Sequence, residues 1–231
     1  MRKLILLSLV CIFFLSAMAK PKEIVPFLQP VEKDLYQHTN VPVLLPTYWK
    51  KQKGKTNHTS VYVDTEENWY CIYIETTDKP YPANKLAFDH TPESSRIGEL
   101  SGFVGNVIRS DRPHDFVFYK KKDGAKLWIQ PWIRSIIYAK RESWSMRFDG
   151  DNGDEPYQQA EDLFDAMKKV NWLKNKNIHD GRINIRGTRS EAYTDIEWET
   201  NEGFVYHFYY KGPIKTAVKI VDSLKYVEEV N

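Results

Sequence analysis

Thiols are almost absent from this chain. It has two cysteines in 231 residues. Cys11 lies in the apolar run that opens the sequence, so Cys71 stands alone in everything that follows. An intramolecular disulfide is thereby excluded from the body of the protein, and stability must come from a packed core. Cys71 sits in WYCIYIE, a strand pattern apolar on both faces, where a lone cysteine reads as a small buried hydrophobe. Long apolar runs are missing too. After Leu15 no stretch approaches the roughly 20 residues that a membrane-spanning helix needs. The common catalytic and phosphate-binding signatures are also missing: there is no GxSxG, SxxK or HExxH and no glycine-rich phosphate loop. The six histidines, at 38, 58, 90, 114, 179 and 207, include no pair at metal-ligating spacing. Finally, no charge sign prevails. Setting aside Arg2 and Lys3 takes the basic count from 33 to 31, equal to the 31 acids. That balance argues against nucleic acid or an anionic membrane surface as the main partner.

What is present begins with an address. MRKLILLSLVCIFFLSAMAK has a basic start, an apolar run from Leu4 to Leu15, and small residues (Ala17, Ala19) at cleavage positions. It reads as a signal peptide over 1–19, with a retained N-terminal anchor as the alternative. Export to the cell-envelope exterior or beyond is the expectation. The remainder divides into an N-terminal β-rich part, 20–110, and a second part, 111–231, with one domain over 20–231 as the alternative.

Strand signals dominate, and the 14 tyrosines and 7 tryptophans suit paired strands. HTSVYVDTEENWYCIYIETT reads as two strands around a polar turn at Asp64–Asn68. FVFYKKKDGAKLWI reads as a hairpin whose Asp123-Gly124 supplies the positive φ of a type I′ turn. IEWETNEGFVYHFYY turns at Asn201–Gly203. Two segments switch to helical spacing. Ala160, Leu163, Phe164, Met167 and Val170 follow Pro156; Ala217, Ile220, Val221, Leu224 and Val227 follow Pro213. The two prolines are 57 residues apart, as are Asp123-Gly124 and Asp180-Gly181. A duplicated unit is expected, made of a DG turn, three strands and a helix. The fold class is then α+β: a mainly antiparallel sheet with two amphipathic helices on one face.

Candidate ligand-binding residues are few. FDGDNGDEPY places Asp149, Asp151, Asp154 and Glu155 ahead of a helix. Against the EF-hand pattern Asp149 and Asp151 fit the first and third positions, but Asp154 falls where glycine is obligatory and Ala160 where the bidentate glutamate belongs. A looser, weak Ca²⁺ site on these four acids is one reading; a helix start capped by Asp154 or Glu155 is the other. In LWIQPWIRSIIY, Trp128 and Trp132 offer an aromatic platform for a sugar or lipid, with core packing as the alternative. YKKKDGAK follows aromatics, as sugar- or phosphate-binding loops sometimes do, yet lysines at a hairpin tip also simply face solvent and discourage edge pairing. Glu197 and Glu199 flank Trp198 on one strand, about 7 Å apart by strand rise. Paired acids of that kind serve glycoside cleavage, and a polar solvent face gives the same pattern. His114, Asp115 and Arg112 form a polar cluster in RSDRPHD, read as an exposed loop. His207 alternates within VYHFYY as half-buried sheet.

Two segments carry a resemblance. TNVPVLLPTYW, followed by YIETTDKPYPANK and RIGELSGFVG, resembles an uncharacterised family of exported bacterial proteins with a PVLLP opening. The stretch from Ile183 to Val227 is similar in layout to a C-terminal domain of unknown function found in Gram-positive envelope lipoproteins and anti-sigma regulators. Its elements here are Ile183–Gly187, Ile196–Trp198, Gly203–Tyr206 and Ile220–Leu224. The resemblance implies a secreted or envelope-facing sensor or scaffold with an antiparallel sheet and helices, and it brings no established catalytic residues to carry over. The expectation is an exported non-enzymatic protein that binds an envelope or protein partner. A secreted hydrolase of extracellular glycans is the alternative.

Overall fold

In a computed structural model, residues 23–50, 58–77, 95–106, 116–130, 136–150, 155–170, 177–188 and 191–227 are described. The strand Ala192–Thr200 shows how the sequence builds its sheet. Ala192, Thr194, Ile196, Trp198 and Thr200 are buried, while Tyr193, Asp195, Glu197 and Glu199 alternate with them on the opposite face. With a side-chain period of two, that pattern commits one face to the core.

Twelve strands and three helices follow one another among the described residues: α1 (Gln29–His38), β1 (Leu44–Pro46), β2 (His58–Glu66), β3 (Trp69–Thr77), β4 (Ser95–Val104), β5 (Val117–Lys122), β6 (Ala125–Ile129), β7 (Ile136–Arg141), β8 (Trp144–Asp149), α2 (Glu155–Met167), β9 (Ile178–Gly187), β10 (Ala192–Thr200), β11 (Phe204–Lys211), α3 (Ile214–Asp222) and β12 (Leu224–Tyr226). Ten strands form one sheet in the order β2-β3-β4-β11-β10-β9-β8-β7-β6-β5. Every neighbouring pair is antiparallel except β8 and β9, which run parallel. A parallel pair requires a crossover, and α2 supplies it. Gln159 of α2 ties the crossover down by donating from its amide to the carbonyls of Asp149 and Gly187, at the ends of β8 and β9. β1 and β12 form a second, two-stranded sheet. The fold is thus a β-rich α+β fold with a large mixed sheet.

The hairpin turns follow the expected chemistry. Asp123 (φ 50°) and Gly124 (φ 80°) join β5 to β6, and Gly203 (φ 83°) lies in the β10–β11 turn. The β2–β3 turn is tighter than expected, at Glu67–Asn68, because Asp64 is already paired with Cys71. Asp180-Gly181 is not a turn. It lies inside β9, where Gly181 sits under the Trp144 ring; a Cβ there would come within 2.5 Å of the indole. α1 precedes the strands of the N-terminal part and buries Val31 and Leu35 completely.

The inner face of the sheet carries the core. Phe148 of β8 meets Phe164 of α2 edge-to-face at 6.3 Å, Trp198 stacks on Tyr206, and Phe208 stacks on Tyr210. α2 packs on β7 and β8, α3 on β10, and the two helices touch one another. The PVLLP segment is a strap over this face: Val43, Leu44 and Leu45 are buried, the Leu44 N–H donates to the Tyr70 hydroxyl at 3.1 Å, and the Tyr206 hydroxyl donates to the Pro42 carbonyl at 2.9 Å. Trp49 closes the same side edge-to-face against Phe27 and Tyr210. Among the described residues no helix is long and apolar enough to cross a membrane.

Candidate functional site

The opposite, outer face of the large sheet carries the polar and aromatic side chains. Strand register aligns them into rows that run across the strands. One row contains Phe118, Trp128, Tyr138 and Arg147 on β5 to β8. On the far side of β9 it continues through Asp195, Tyr209, Glu99, Tyr73 and Tyr62. The neighbouring row, two residues along each strand and three along β5, begins Lys121, Lys126, Lys140, Ser145, Arg182 and continues Glu197, His207.

The half of this face built by β3, β4, β9, β10 and β11 neutralises itself. His207 lies between two acids, with Nε2 3.3 Å from Asp195 and Nδ1 3.6 Å from Glu99. Burial alone pulls an imidazolium down, but the hydrogen bond to Asp195 and the charges of both carboxylates overcome it and raise His207 to about 9. Burial pushes Glu99 up, and His207 and Arg96 outweigh it to hold the carboxyl below its ordinary value. Arg96 pairs with Glu99 at 3.2 Å and lies over the Tyr73 ring, which stacks on Tyr62 at 4.5 Å. Arg182 engages Glu197 at 3.1 Å. A histidine that is charged at neutral pH and clamped from both sides is not a free general base. Cys71 lies in the same region, buried as expected, and burial raises its thiol to about 12, so it is no nucleophile.

The half built by β5, β6 and β7 differs. Trp128 is half-buried, edge-to-face with Phe118 at 6.4 Å and tilted against Tyr138 at 5.7 Å. Phe118 is 55% exposed, and its neighbours Val117 and Tyr119 are each 49% exposed. A bulge at Tyr119 sets the direction of the lysines that follow. Beyond it Lys120 and Lys122 turn to the helix side, where Lys120 lies over Tyr157 and Lys122 bonds Glu161. Lys121 turns to the outer face, opposite Lys126, which in turn is opposite Lys140.

The other expected site residues are dispersed. Trp132, Asp151 and Asp154 lie outside the described residues, as does the Arg112, His114, Asp115 cluster. Asp149 ends β8 and is held by Arg147 at 3.0 Å, and Glu155 opens α2. Among the described residues no group of three or more histidines, cysteines or acids is arranged to hold a metal. Glu197 and Glu199 share the outer face as expected, with Trp198 buried between them. An open groove of about 670 Å³ runs between α2 and α3. Three of its four lysines are engaged: Lys168 with Asp123 and Asp165, Lys215 with Asp162, and Lys219 over Tyr48.

The sequence analysis missed the Glu99–His207–Asp195 cluster and the outer lysine row. Each joins residues from separate strands, so only cross-strand register reveals it. The visible signal was the alternation of polar residues in TDIEWET and YHFYY.

No protein-family model matches the chain, and no curated protein does. A crystal structure of a protein from Bacteroides thetaiotaomicron VPI-5482 is similar at 14% identity with a TM-score of 0.16, over 57% of this chain and 46% of its own. The chain spans less than half the length of that protein.

Proposed function

We propose that this chain is an exported, non-enzymatic binding protein that takes an envelope ligand on the outer face of β5, β6 and β7. The observation that carries this reading is the aromatic group there: Phe118 stands exposed beside Trp128, with exposed Tyr119 next to it at the bulge, and exposed apolar side chains grouped on a polar face mark a contact site. The opening MRKLILLSLVCIFFLSAMAK supports export. Elsewhere on the face the groups capable of acid–base chemistry already bind one another, as in His207 with Asp195 and Glu197 with Arg182, which supports binding over turnover.

The recurring order β6-β7-β8-α2 and β9-β10-β11-α3 further supports a duplicated β-β-β-α unit with its helices on one face of the sheet. The first copy would then serve as the ligand-facing half.

A thermal-shift panel of envelope glycans, with Trp128→Ala beside the parent, tests the reading. A ligand at a hundred times its Kd stabilises by about 2.7 kcal/mol, which is roughly 5–10 °C for a domain of this size. The parent should shift with at least one glycan and Trp128→Ala should not. Release of reducing ends, abolished by Glu197→Gln or Glu199→Gln, would instead establish the alternative, a secreted glycan hydrolase.

A further inference from the structure

We infer that the ligand of this face is an acidic polysaccharide, one whose successive sugar rings carry anionic groups; the inference rests on the binding surface proposed above. The observation is the row Lys121, Lys126 and Lys140. The first two are directly opposite one another on β5 and β6, and the last two on β6 and β7. All three are exposed, and among the described residues none has an acidic partner. The acids of the adjoining turns are Asp123, ion-paired to Lys168, and Glu142. Like charges directly opposite on paired strands are unfavourable. Edge protection accounts for Lys121, since β5 is the last strand of the sheet. It does not account for Lys126 or Lys140, which lie on interior strands with no free edge to guard. Elsewhere on the same face cations come with acids, as Arg182 does with Glu197 and Arg96 with Glu99. The repulsion built into this row is relieved by an anion from outside.

The shape of that anion follows from the register. Neighbouring strands lie about 4.8 Å apart, so the row presents ammonium groups over a span of roughly 10 Å across the strands. Next along the strands, about 7 Å away on β6, the exposed ring of Phe118 and the half-buried ring of Trp128 form a second row. A linear ligand lying across the strands can lie against the rings while its anionic substituents reach the lysines. A single phosphate or carboxylate would use one lysine and leave the aromatic row empty. An extended chain with one charge per ring occupies both rows.

The test is calorimetric titration of the full chain with three polymers of matched length: polygalacturonate (carboxylates), a sulfated galactan, and neutral galactan. One or both anionic polymers should bind at least tenfold more tightly than the neutral one, and the preferred polymer identifies the anionic group. Lys126→Gln/Lys140→Gln, two exposed changes that leave the core untouched, should lose that preference and its salt dependence. Trp128→Ala should weaken all glycan binding. Equal affinity for neutral galactan, still sensitive to Trp128→Ala, overturns the acidic-ligand inference and leaves the binding surface standing. Absence of binding to all three overturns the surface as well. Equally tight, lysine-dependent binding of duplex DNA or anionic vesicles also overturns the inference, since the row would then be a general anion patch.

Discussion

Raising the pH from 6 to 9 should destabilise this protein through one residue. The imidazole of His207 lies between Asp195 at 3.3 Å and Glu99 at 3.6 Å, which raises it from 6.5 to about 9. At about 1.36 kcal/mol per pH unit, the cradle stabilises the fold by about 3 kcal/mol. The side chain is only 22% exposed, so solvent screening removes little of this. Because the folded value lies above the unfolded one, the contribution is full below pH 6.5 and declines as pH rises. It is essentially gone above pH 9. At about 2–4 °C per kcal/mol for a domain of this size, Tm should fall by roughly 6–12 °C across the window. Glu99, held below its ordinary value, contributes in the opposite sense: its share is present above the ordinary carboxyl range and is lost at acid pH. Cys71 adds to the loss only above pH 9, where an unfolded thiol ionises while the buried one is held to about 12.

Two measurements check this. The imidazole resonances of His207 should titrate in the folded protein with a midpoint near 9. His207→Gln, which keeps a donor for Asp195 but carries no proton to lose, should flatten the dependence of Tm on pH between 6 and 9. A midpoint at or below 6.5, or a variant whose pH profile follows the parent's, would refute the two-carboxylate cradle.

Tyr70→Phe removes the hydroxyl that accepts from the Leu44 N–H and strands a buried donor, so the urea midpoint should fall by the equivalent of about 1–3 kcal/mol with an unchanged m-value. Gly181→Ala places a Cβ within 2.5 Å of the Trp144 ring and should destabilise by about 1–3 kcal/mol, with a shift in tryptophan emission as the indole is displaced.

The residues that misled the sequence reading show what a linear pattern lacks. Asp123-Gly124 and Asp180-Gly181 are the same dipeptide. The first needs glycine for positive φ; the second needs it because an indole lies where a side chain would be. Nothing within either dipeptide separates a conformational reason from a packing reason, because the indole comes from a strand 37 residues earlier. α1 escaped notice for a related cause. Among the described side chains QPVEKDLYQH offers Val31 and Leu35 to the core, two aliphatic positions in ten residues and a thin stripe from which to read a helix. Hairpins closed by local turn chemistry were legible, since both strands and the turn lie in one short window.

The lysine row makes the same point at the level of function. YKKKDGAK reads as one run of solvated charge, yet the bulge at Tyr119 splits it. Lys120 and Lys122 are spent on Tyr157 and Glu161, and Lys121 alone joins Lys126 and Lys140 on the outer face. The parallel joint between β8 and β9 then matters for more than topology. It sets the self-neutralised rows of β9, β10, β11 and β4 in line with the uncompensated row of β5, β6 and β7, so one continuous face changes electrostatic character at β8. Net charge cannot reveal such a surface, because it sums every charge regardless of where the fold places it. On the proposed reading, charge would direct an acidic ligand to the β5–β7 end and the rings would hold it there, so weakening either row alone should lower affinity without disturbing the fold behind it.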